Sequence, residues 1–387
     1  MEADVINVEF ALHWRCRLAA HCDRRVLAGV LPARQRVGTV SLSALAARRA
    51  GDCARLVEGA VLIPHDPAFC RQTSLQGWRH DAALLGRHYP RSLLPAFPRH
   101  DLRPFRVLAV EAQRVLADFN PPLAGIACTL DAQVLPDMQA TAARTAAIDA
   151  DLTARLTDNG PGMQAALAAG DTDFPASEPM ARDDDRDDAL FYQSPRRVDH
   201  LDAPARAALT ALYRRMLRPG MRVLDLMASW HSHLPDDIPL VAHGLGMNGD
   251  ELDDNAQLTA HVVHDLNRAP MLPYPDRHFD AVLCALSIEY LVRPLAVARE
   301  VARVLVPGGT CVIAFSDRWF PSKAIRLWRE LHAFERMGFV VDLLHRADAF
   351  EAFATESLSG LPAPSATHHR PHADPLFVVS ARRRGGP

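Results

Sequence analysis

Two histidines are the first candidates for chemistry in this chain. His231 and His233 stand two residues apart in a polar segment that follows the apolar run 221–227. Imidazole rings bind metal ions or move protons near neutral pH. A zinc site needs three or four His, Cys or acidic ligands, and the neighbouring sequence offers neither a cysteine nor three carboxylates. We expect no metal here, and two interpretations stay open: a pocket lining and a plain loop.

The cysteines suggest neither crosslinks nor a metal. Seven are present, an odd number, and no two form a C-x-x-C pair, so neither a disulfide framework nor a zinc site is expected. Cys284 and Cys311 lie in apolar runs and are interpreted as buried thiols. The acidic N-terminus lacks a signal-peptide layout, and no apolar run approaches the roughly 20 residues of a membrane span. We expect a cytoplasmic protein without a membrane partner.

Composition indicates an ordinary globular protein. The 387 residues are 49% hydrophobic and 23% charged, and this length is typical of two or three domains. The formal net charge of −3 gives no electrostatic reason to expect a nucleic-acid partner.

Residues 1–200 divide into two zones that differ in pattern from residues 201–384. Residues 1–136 hold short apolar runs broken by turn signals, which predicts a smaller β-rich domain. Residues 137–200 form a predicted connector of helices and loops, with alanine-rich stretches at 141–156 and 163–169. We expect the acidic run at 182–188 to be a solvated loop.

Residues 201–384 alternate between helical and strand patterns. Apolar residues at helical spacing predict helices over 203–217 and 295–305. Continuous apolar strands separated by helices favour an α/β fold with a mostly parallel sheet buried on both faces. The predicted strands are 221–227, 240–245, 260–264, 279–286, 310–315, 339–344 and 376–380.

Five segments of this region occur in an order that resembles class I S-adenosylmethionine-dependent methyltransferases. They are Val223-Leu224-Asp225-Leu226, His264-Asp265-Leu266, Leu272-Pro273-Tyr274-Pro275-Asp276, Phe279-Asp280-Ala281-Val282 and Arg303-Val304-Leu305-Val306-Pro307-Gly308-Gly309. The resemblance implies a Rossmann-like, seven-stranded methyltransferase sheet with S-adenosyl-L-methionine as cofactor. In such folds the ligand lies beyond the carboxyl ends of the central strands.

The resemblance also implies roles for single residues. Asp225 would help to hold the methionine part of the cofactor, and Asp265 would accept a hydrogen bond from the adenine amino group. Leu266 would contact the adenine ring. The alternative is that both aspartates only cap the helices that follow them.

The turn after the first strand departs from the family pattern. Class I enzymes usually place glycines there, which permit positive φ and close approach to the ligand. Met227, Ser229 and His231 occupy the three expected glycine positions in this chain. Ala228 and Ser229 are small, so a turn that contacts the cofactor stays possible.

A second departure concerns the ribose. The family normally has an acidic residue after the second strand, where this chain has Gly246. Asn248 could make one ribose hydrogen bond, and Glu251 lies one helical turn further on. Neither is expected to replace a bidentate carboxylate cleanly.

Segments around this site supply substrate candidates. The stretch 191–200 lies just upstream of the domain, where methyltransferases often carry a segment that closes over the site. The region after the fourth strand faces the transferred methyl group in the family. The substrate or lid candidates are Tyr192, Arg196, His200, Trp230, His231, Glu289 and Tyr290. No catalytic base is assigned, because methyl transfer mainly requires alignment.

A fainter resemblance covers part of residues 1–136. The segment Asn120-Pro121-Pro122-Leu123-Ala124-Gly125 is similar to the N-H-P-L-A-G segment of SlyD-like FKBP-type peptidyl-prolyl isomerases, with a proline in place of the histidine. The resemblance implies an FKBP-like domain with an apolar bowl for a prolyl peptide. Four aromatic residues come from this region, of which Trp14 and Phe119 are interpreted as core: Phe10, Trp14, Tyr89 and Phe119.

Three functional hypotheses follow. The first is a methyltransferase acting on an unknown acceptor, a small molecule or a protein, with an FKBP-like N-terminal domain. The second is a non-catalytic binding or scaffold protein with a degenerate methyltransferase fold and an isomerase-like peptide-binding module. The third is a prolyl isomerase or chaperone with an inert appendage. Retention of Asp225 and Asp265 favours the first, and the missing turn glycines favour the second.

Overall fold

A computed structural model describes residues 5–78, 82–136, 151–158, 160–167, 172–174, 178–364 and 370–385. The chain divides into two compact units. The first comprises residues 1–177, 331–339 and 356–365, and the second comprises residues 178–330, 340–355 and 366–387. This division falls within the segment 137–200, which the sequence predicted as a connector.

The first unit is built mainly of antiparallel strands. Its elements are β1 (Ile6–Arg15), β2 (Ala19–Val30), β3 (Arg36–Val37), β4 (Val40–Ser41), β5 (Cys53–Val61), β6 (Cys70–Ser74), β7 (His88–Pro90), β8 (Pro104–Glu111), β9 (Arg114–Asp118), β10 (Ala127–Leu135) and a short helix α1 (Thr153–Thr157). One sheet runs in the order β2-β1-β10-β5, a second in the order β6-β9-β8-β7, and β3 pairs with β4. The β-rich prediction is confirmed.

Alternation along the strands builds two apolar cores in this unit. Val8, Phe10, Leu12 and Trp14 alternate along β1, and all four are buried in the core of the larger sheet. The smaller sheet has its own core, which includes Tyr89 and Phe119. The interpretation of Trp14 and Phe119 as core residues is therefore confirmed.

The second unit alternates helices and strands, as predicted. Its elements are α2 (Asp188–Tyr192), α3 (Ala203–Met216), β11 (Arg222–Leu226), β12 (Val241–Gly246), α4 (Gly249–Asp253), β13 (Ala260–Val263), β14 (Phe279–Ala285), α5 (Pro294–Val304), β15 (Leu305–Phe315), α6 (Arg326–Glu330), α7 (Ala333–Arg346), β16 (Phe350–Ser359) and β17 (Leu376–Arg383). Residues of α7 and β16 fall in both units.

Parallel strands form the middle of the second unit's sheet. The order is β13-β12-β11-β14-β15, all parallel, followed by the antiparallel β17 with β16 beside it. Residues 223–226 of β11 are all buried, which explains why this strand is a continuous apolar run. Helix α3 begins where the Asp202 carboxylate accepts a hydrogen bond from the Ala205 N–H, at 3.1 Å. Because these five strands are parallel, their carboxyl ends all lie at the same edge of the sheet.

Two secondary-structure predictions are wrong. Residues 339–344 were predicted as a strand and instead belong to α7, because a short apolar run fits a buried helix as well as a strand. The run 163–167 forms turns rather than a helix. Most of the other alanine-rich stretch, 141–150, lies outside the described residues.

The acidic run at 182–188 is only partly solvated, contrary to the expectation. Asp188 is buried, and its carboxylate accepts hydrogen bonds from the Arg182 guanidinium at 2.9 Å. The Lys323 ammonium, fully buried, lies 3.0 Å from the same carboxylate. Buried charges are stable only when they are paired, so this part of the run is fixed by its partners.

All seven cysteines are free, and Cys284 and Cys311 are buried as predicted. Among the helices of the described residues, none is long and apolar enough to cross a lipid bilayer.

A close backbone contact joins the turn after β11 to the end of β12. The Ala228 N–H donates to the Leu245 carbonyl at 2.8 Å. A Cβ added at Gly246 would lie 2.2 Å from the Ala228 carbonyl oxygen, which is less than any van der Waals contact allows. Gly246 is therefore required by the turn, and no acidic side chain fits at this position.

We expect Gly246→Ala to destabilise the second unit by about 1–3 kcal/mol, because the clash is with backbone and the turn must move. Gly249→Ala is the matched control, since its Cβ would meet only the Val263 side chain at 3.6 Å. Chemical unfolding of both variants measures the difference. Equal free energies of unfolding of the two variants would contradict the claim that the Ala228 carbonyl leaves no room for a Cβ at Gly246.

Candidate functional site

A cavity opens at the carboxyl ends of β11, β12, β13 and β14. Counted with the part open to solvent, its volume is about 1060 Å³. Twelve of the fourteen residues predicted for the site line this cavity: Tyr192, Arg196, His200, Asp225, Met227, Ala228, Ser229, His231, Asn248, Asp265, Leu266 and Tyr290. Trp230 and Glu289 are not among the lining residues.

Asp225 is a buried carboxyl group at the edge of this cavity. Burial raises the pKa of Asp225 from 3.8 to about 7, and a hydrogen bond from the Ser232 hydroxyl acts in the opposite direction. A desolvated carboxylate is costly unless a positive charge or several donors compensate it. The position therefore favours a ligand that brings a cation to Asp225.

Three residues with a strained backbone line the same cavity. Met227, His233 and Leu286 have φ values of 60°, 56° and 56°, and all three line the cavity. Such conformations are unfavourable for residues with a Cβ, and they cluster at functional sites. Met227 stands at the first expected glycine position, so the turn keeps a glycine-like conformation without the glycine.

Polar side chains hold this strained turn in place. The Asn255 amide donates hydrogen bonds of 2.8 Å to the Ser229 carbonyl and to the Ser232 hydroxyl. The Thr210 hydroxyl donates to the His233 carbonyl at 3.0 Å. Sequence reasoning missed Asn255 and Thr210, because both lie outside the turn and outside the family segments.

Glu251 brings a buried carboxylate to the cavity from α4. Its Oε2 accepts a hydrogen bond from the Ser229 hydroxyl at 2.6 Å, and its Oε1 accepts one from the Arg196 N–H at 2.6 Å. Asn248 caps α4, with its Oδ1 accepting from the Glu251 N–H at 3.1 Å. Each carboxylate oxygen has two lone pairs, so Glu251 can accept further donors from a ligand.

The segment 192–200 is fastened along the cavity. The Asn248 amide donates to the Tyr192 carbonyl at 2.8 Å, and the Trp230 indole N–H donates to the Val198 carbonyl at 3.1 Å. Trp230 thus anchors the segment instead of lining the cavity. The Arg196 guanidinium carbon lies 4.1 Å from the centre of the Phe191 ring, a cation–π contact.

The two histidines predicted as candidates lie side by side. The ring centres of His231 and His233 are 4.5 Å apart, and neither Nδ1 has a hydrogen-bond partner among the residues that the structure describes. Burial lowers the pKa of His233 to about 3, with neighbouring His231 contributing in the same direction. Burial also lowers the pKa of His231 and of His200. These rings are therefore neutral at physiological pH.

Asp265 and Asn267 shape the end of the cavity beyond β13. The Asp265 Oδ1 accepts hydrogen bonds from the N–H groups of Asn267 at 2.8 Å and Arg268 at 3.1 Å, and so caps the following turn. The Asn267 amide donates to Asp188 and to the Tyr290 carbonyl, both at 2.9 Å. Asp265 is half-buried and lines the cavity, so the capping role and a ligand contact are compatible.

Glu289 and Tyr290 lie in a short 3₁₀ turn after β14. Glu289 is buried away from the cavity, whereas Tyr290 lines it. The Tyr290 hydroxyl accepts a hydrogen bond from the Phe320 N–H at 2.9 Å. Burial holds the pKa of Tyr290 well above its ordinary value, so this side chain is a neutral wall of the site.

These residues suit S-adenosylmethionine. The buried Asp225 can pair with the α-ammonium of its methionine part, and Glu251 can accept hydrogen bonds from hydroxyl groups. Leu266, which is buried, offers an apolar surface, and Asp265 lies beside it. The cavity thus combines one apolar wall with a few polar groups, as small-molecule sites usually do.

Residues 249–313 match the family model described as a methyltransferase domain. The matched stretch lies within the second unit, which is therefore similar to methyltransferase domains there. The match supports S-adenosylmethionine as its cofactor, and the matched residues include Asp265 and Leu266 but not the turn after Asp225.

Curated relatives match a longer part of the chain than the family model does. The ubiquinone/menaquinone biosynthesis C-methyltransferase of Laribacter hongkongensis is 29% identical over 152 residues, which are 36% of this chain and 60% of that protein. The same enzyme of Burkholderia orbicola is 26% identical over 161 residues, 37% of this chain and 61% of that protein. The chain thus spans about 60% of the length of these relatives.

Among solved structures, an S-adenosylmethionine-dependent methyltransferase of Mesorhizobium loti is similar. It is 18% identical with a TM-score of 0.30, and the match covers 45% of this chain and 96% of that one. A likeness at this score adds nothing to the assignment.

The pKa of Asp225 predicts a pH dependence for the ligand-free protein. Its folded-state pKa, about 7, lies above its ordinary 3.8, so ionisation destabilises the fold increasingly as the pH rises between these values. We expect Asp225→Asn to remove this cost. Its stability advantage over wild type should grow above about pH 4 and reach on the order of 3–4 kcal/mol above about pH 8.

Urea unfolding of wild type and variant at several pH values measures this advantage. Asp250→Asn, the same change at an exposed residue, serves as the control and should show no such trend. An advantage of Asp225→Asn that stays constant across the pH range would contradict the raised pKa.

Proposed function

We propose that this chain is an S-adenosylmethionine-dependent methyltransferase that binds its cofactor without the usual glycine-rich turn. The observation that supports it best is Asp225, a buried carboxylate that faces the cavity at the end of β11 with a pKa raised to about 7. A cationic ligand is what makes such a group favourable. The proposal includes a second unit whose sheet is of the seven-stranded methyltransferase type.

Glu251 takes the place of the missing ribose acid in this proposal. The clash between a Cβ at Gly246 and the Ala228 carbonyl excludes an acid at the usual position. Glu251 instead reaches the cavity from the first turn of α4, where Ser229 and the Arg196 N–H orient its carboxylate. Carboxylates oriented in this way make strong hydrogen bonds to hydroxyl groups.

The chain's own contribution is orientation and exclusion of water. When bound, the cofactor supplies an electrophilic methyl group. Asp225 and Glu251 hold it at two points, and the segment 192–200, fastened through Asn248 and Trp230, limits access of solvent to the cavity. Alignment of this kind accounts for a large share of rate enhancement in transfer reactions.

No residue is assigned as a catalytic base. His233, with a pKa of about 3, accepts a proton only weakly at neutral pH. The acceptor therefore stays open between a small molecule and a protein. Tyr192, Arg196, His200 and His231 are proposed to contact it, because they line the part of the cavity formed by the segment 192–200 and the turn.

For the first unit we propose an FKBP-like, peptide-binding role. Its support is the segment 120–125 together with an antiparallel sheet and a second, smaller sheet formed by residues between β5 and β10. The four aromatic residues named from the sequence are buried in its cores, which argues against their forming an exposed prolyl bowl.

Calorimetric titration of the full chain with S-adenosylmethionine and S-adenosylhomocysteine tests the enzyme proposal. We expect binding in the micromolar range. Asp265→Ala and Glu251→Gln should each weaken it by about 10- to 100-fold, because each removes hydrogen bonds to a charged group. Asp250→Asn, on the exposed side of the same helix, should bind as wild type does.

The alternative is a non-catalytic binding protein with a degenerate site. Absence of heat with both ligands, from a chain that circular dichroism shows to be folded, would favour that alternative. If Glu251→Gln binds the two ligands as strongly as wild type does, the methyltransferase proposal stands but the role given to Glu251 is contradicted.

A further inference from the structure

Three potential metal ligands meet in the first unit, far in sequence from the methyltransferase domain. The Cys70 thiol sulfur lies 3.6 Å from the Nε2 of His65, and the same Nε2 lies 3.6 Å from the Oδ2 of Asp118. All three ligand atoms are within 4.8 Å of one another. Among the described residues, this is the one group of three or more His, Cys, Asp or Glu side chains whose ligand atoms lie this close together.

We propose that His65, Cys70 and Asp118 bind a divalent transition metal of the zinc class. Zinc bonds to sulfur at about 2.3 Å and to nitrogen or carboxylate oxygen at about 2.0–2.2 Å. Two such ligands at a tetrahedral angle are then roughly 3.3–3.6 Å apart. The two separations of 3.6 Å match this range, and the third, between thiol and carboxylate, is at most 4.8 Å, so an ion could bind with a modest movement of the ligands.

The strand pairing fixes two of the ligands before any ion binds. Cys70 and Asp118 are direct partners in the antiparallel ladder of β6 and β9. Side chains that face each other in such a ladder have Cβ atoms about 4.5–5.5 Å apart. The ladder therefore sets the distance between thiol and carboxylate, and the ordering cost of binding is reduced.

A tight turn brings the third ligand back to this pair. A 3₁₀ turn over Pro67–Phe69 separates His65 from Cys70, and the Asp66 carboxylate caps it by accepting from the Ala68 N–H at 2.9 Å. The Asn120 side-chain oxygen accepts from the Asp66 N–H at 3.0 Å. The turn is therefore stabilised by its own cap, Asp66, and by Asn120.

Asn120 also orients the carboxylate. Its side-chain amide donates to the Oδ1 of Asp118 at 2.7 Å, and its backbone N–H donates to the same oxygen at 2.9 Å. The Oδ2 of Asp118 is the oxygen that lies near His65. Outer partners of this kind, which fix the orientation of a ligand, are usual in metal sites.

An ion can reach the site, because the His65 side chain is 41% exposed and that of Asp118 is 19% exposed. Three protein ligands leave one tetrahedral position for water. On binding, the Cys70 thiol loses its proton to the buffer and coordinates as thiolate. The metal would clamp the turn after β5 to the β6–β9 edge of the smaller sheet.

Metal titration of the full chain tests this proposal. Chelator-treated protein is titrated with Zn²⁺ against a chromophoric chelator, and separately with Co²⁺ while the absorption spectrum is recorded. We expect one Zn²⁺ per chain and a thiolate-to-cobalt charge-transfer band. His65→Ala, Cys70→Ser and Asp118→Asn should each weaken binding by at least the roughly 10- to 100-fold that loss of an outer partner costs.

Cys53→Ser is the matched control, because Cys53 is an exposed cysteine of the same unit that lies outside the cluster. It should retain both the stoichiometry and the charge-transfer band. Failure of the folded wild-type chain to bind one Zn²⁺ would overturn the proposal and leave a hydrogen-bonded thiol. A charge-transfer band that persists in Cys70→Ser would overturn it as well. Neither result depends on cofactor binding by the methyltransferase domain.

Discussion

A close backbone contact between the turn after β11 and the end of β12 shapes the cavity of the second unit. The turn after β11 lies directly on the end of β12, where Ala228 donates to the Leu245 carbonyl and its own carbonyl occupies the space above Gly246. Close approach requires a residue without a Cβ, and here the strand supplies it while the turn has lost its glycines. Met227 in this turn has a positive φ. Asn255 and Thr210 hold the following residues in place through the carbonyls of Ser229 and His233.

This arrangement changes the chemistry available at the cavity. An acid cannot follow β12 directly, so the carboxylate comes from Glu251, one turn into α4, and is held by Ser229 from the altered turn. In the proposed site the two departures from the methyltransferase pattern compensate each other, because Ser229, at an expected glycine position, orients Glu251, the proposed substitute for the ribose acid. Asp225 keeps its place at the end of β11, where burial makes a cationic ligand favourable.

Local sequence patterns predicted most strands of the second unit and the helices α3 and α5, because burial on both faces leaves continuous apolar runs such as 223–226. They did not predict β16 or the shorter helices. They failed at 339–344, where a short apolar run fits helix and strand alike. Twelve of the residues that line the cavity were predicted, among them Asp225, Asp265 and Leu266 from the family segments. The hydrogen bond between Ser229 and Glu251 and the contacts of Asn255 were not, because they depend on tertiary structure. The His65–Cys70–Asp118 cluster was missed for the same reason: Asp118 comes from another strand, so no sequence spacing marks it.

The claim that Glu251 replaces the ribose acid is tested most directly by a double-mutant cycle between protein and ligand. Affinities of S-adenosylhomocysteine and its 2′-deoxyribose analogue are measured for wild type and for Glu251→Gln. We expect the analogue to bind wild type about 10-fold more weakly or worse, and the variant to distinguish the two ligands little, with a coupling energy of about 1–3 kcal/mol. Losses that add to within about 0.5 kcal/mol would contradict the account, since the glutamate and the hydroxyl would then not interact.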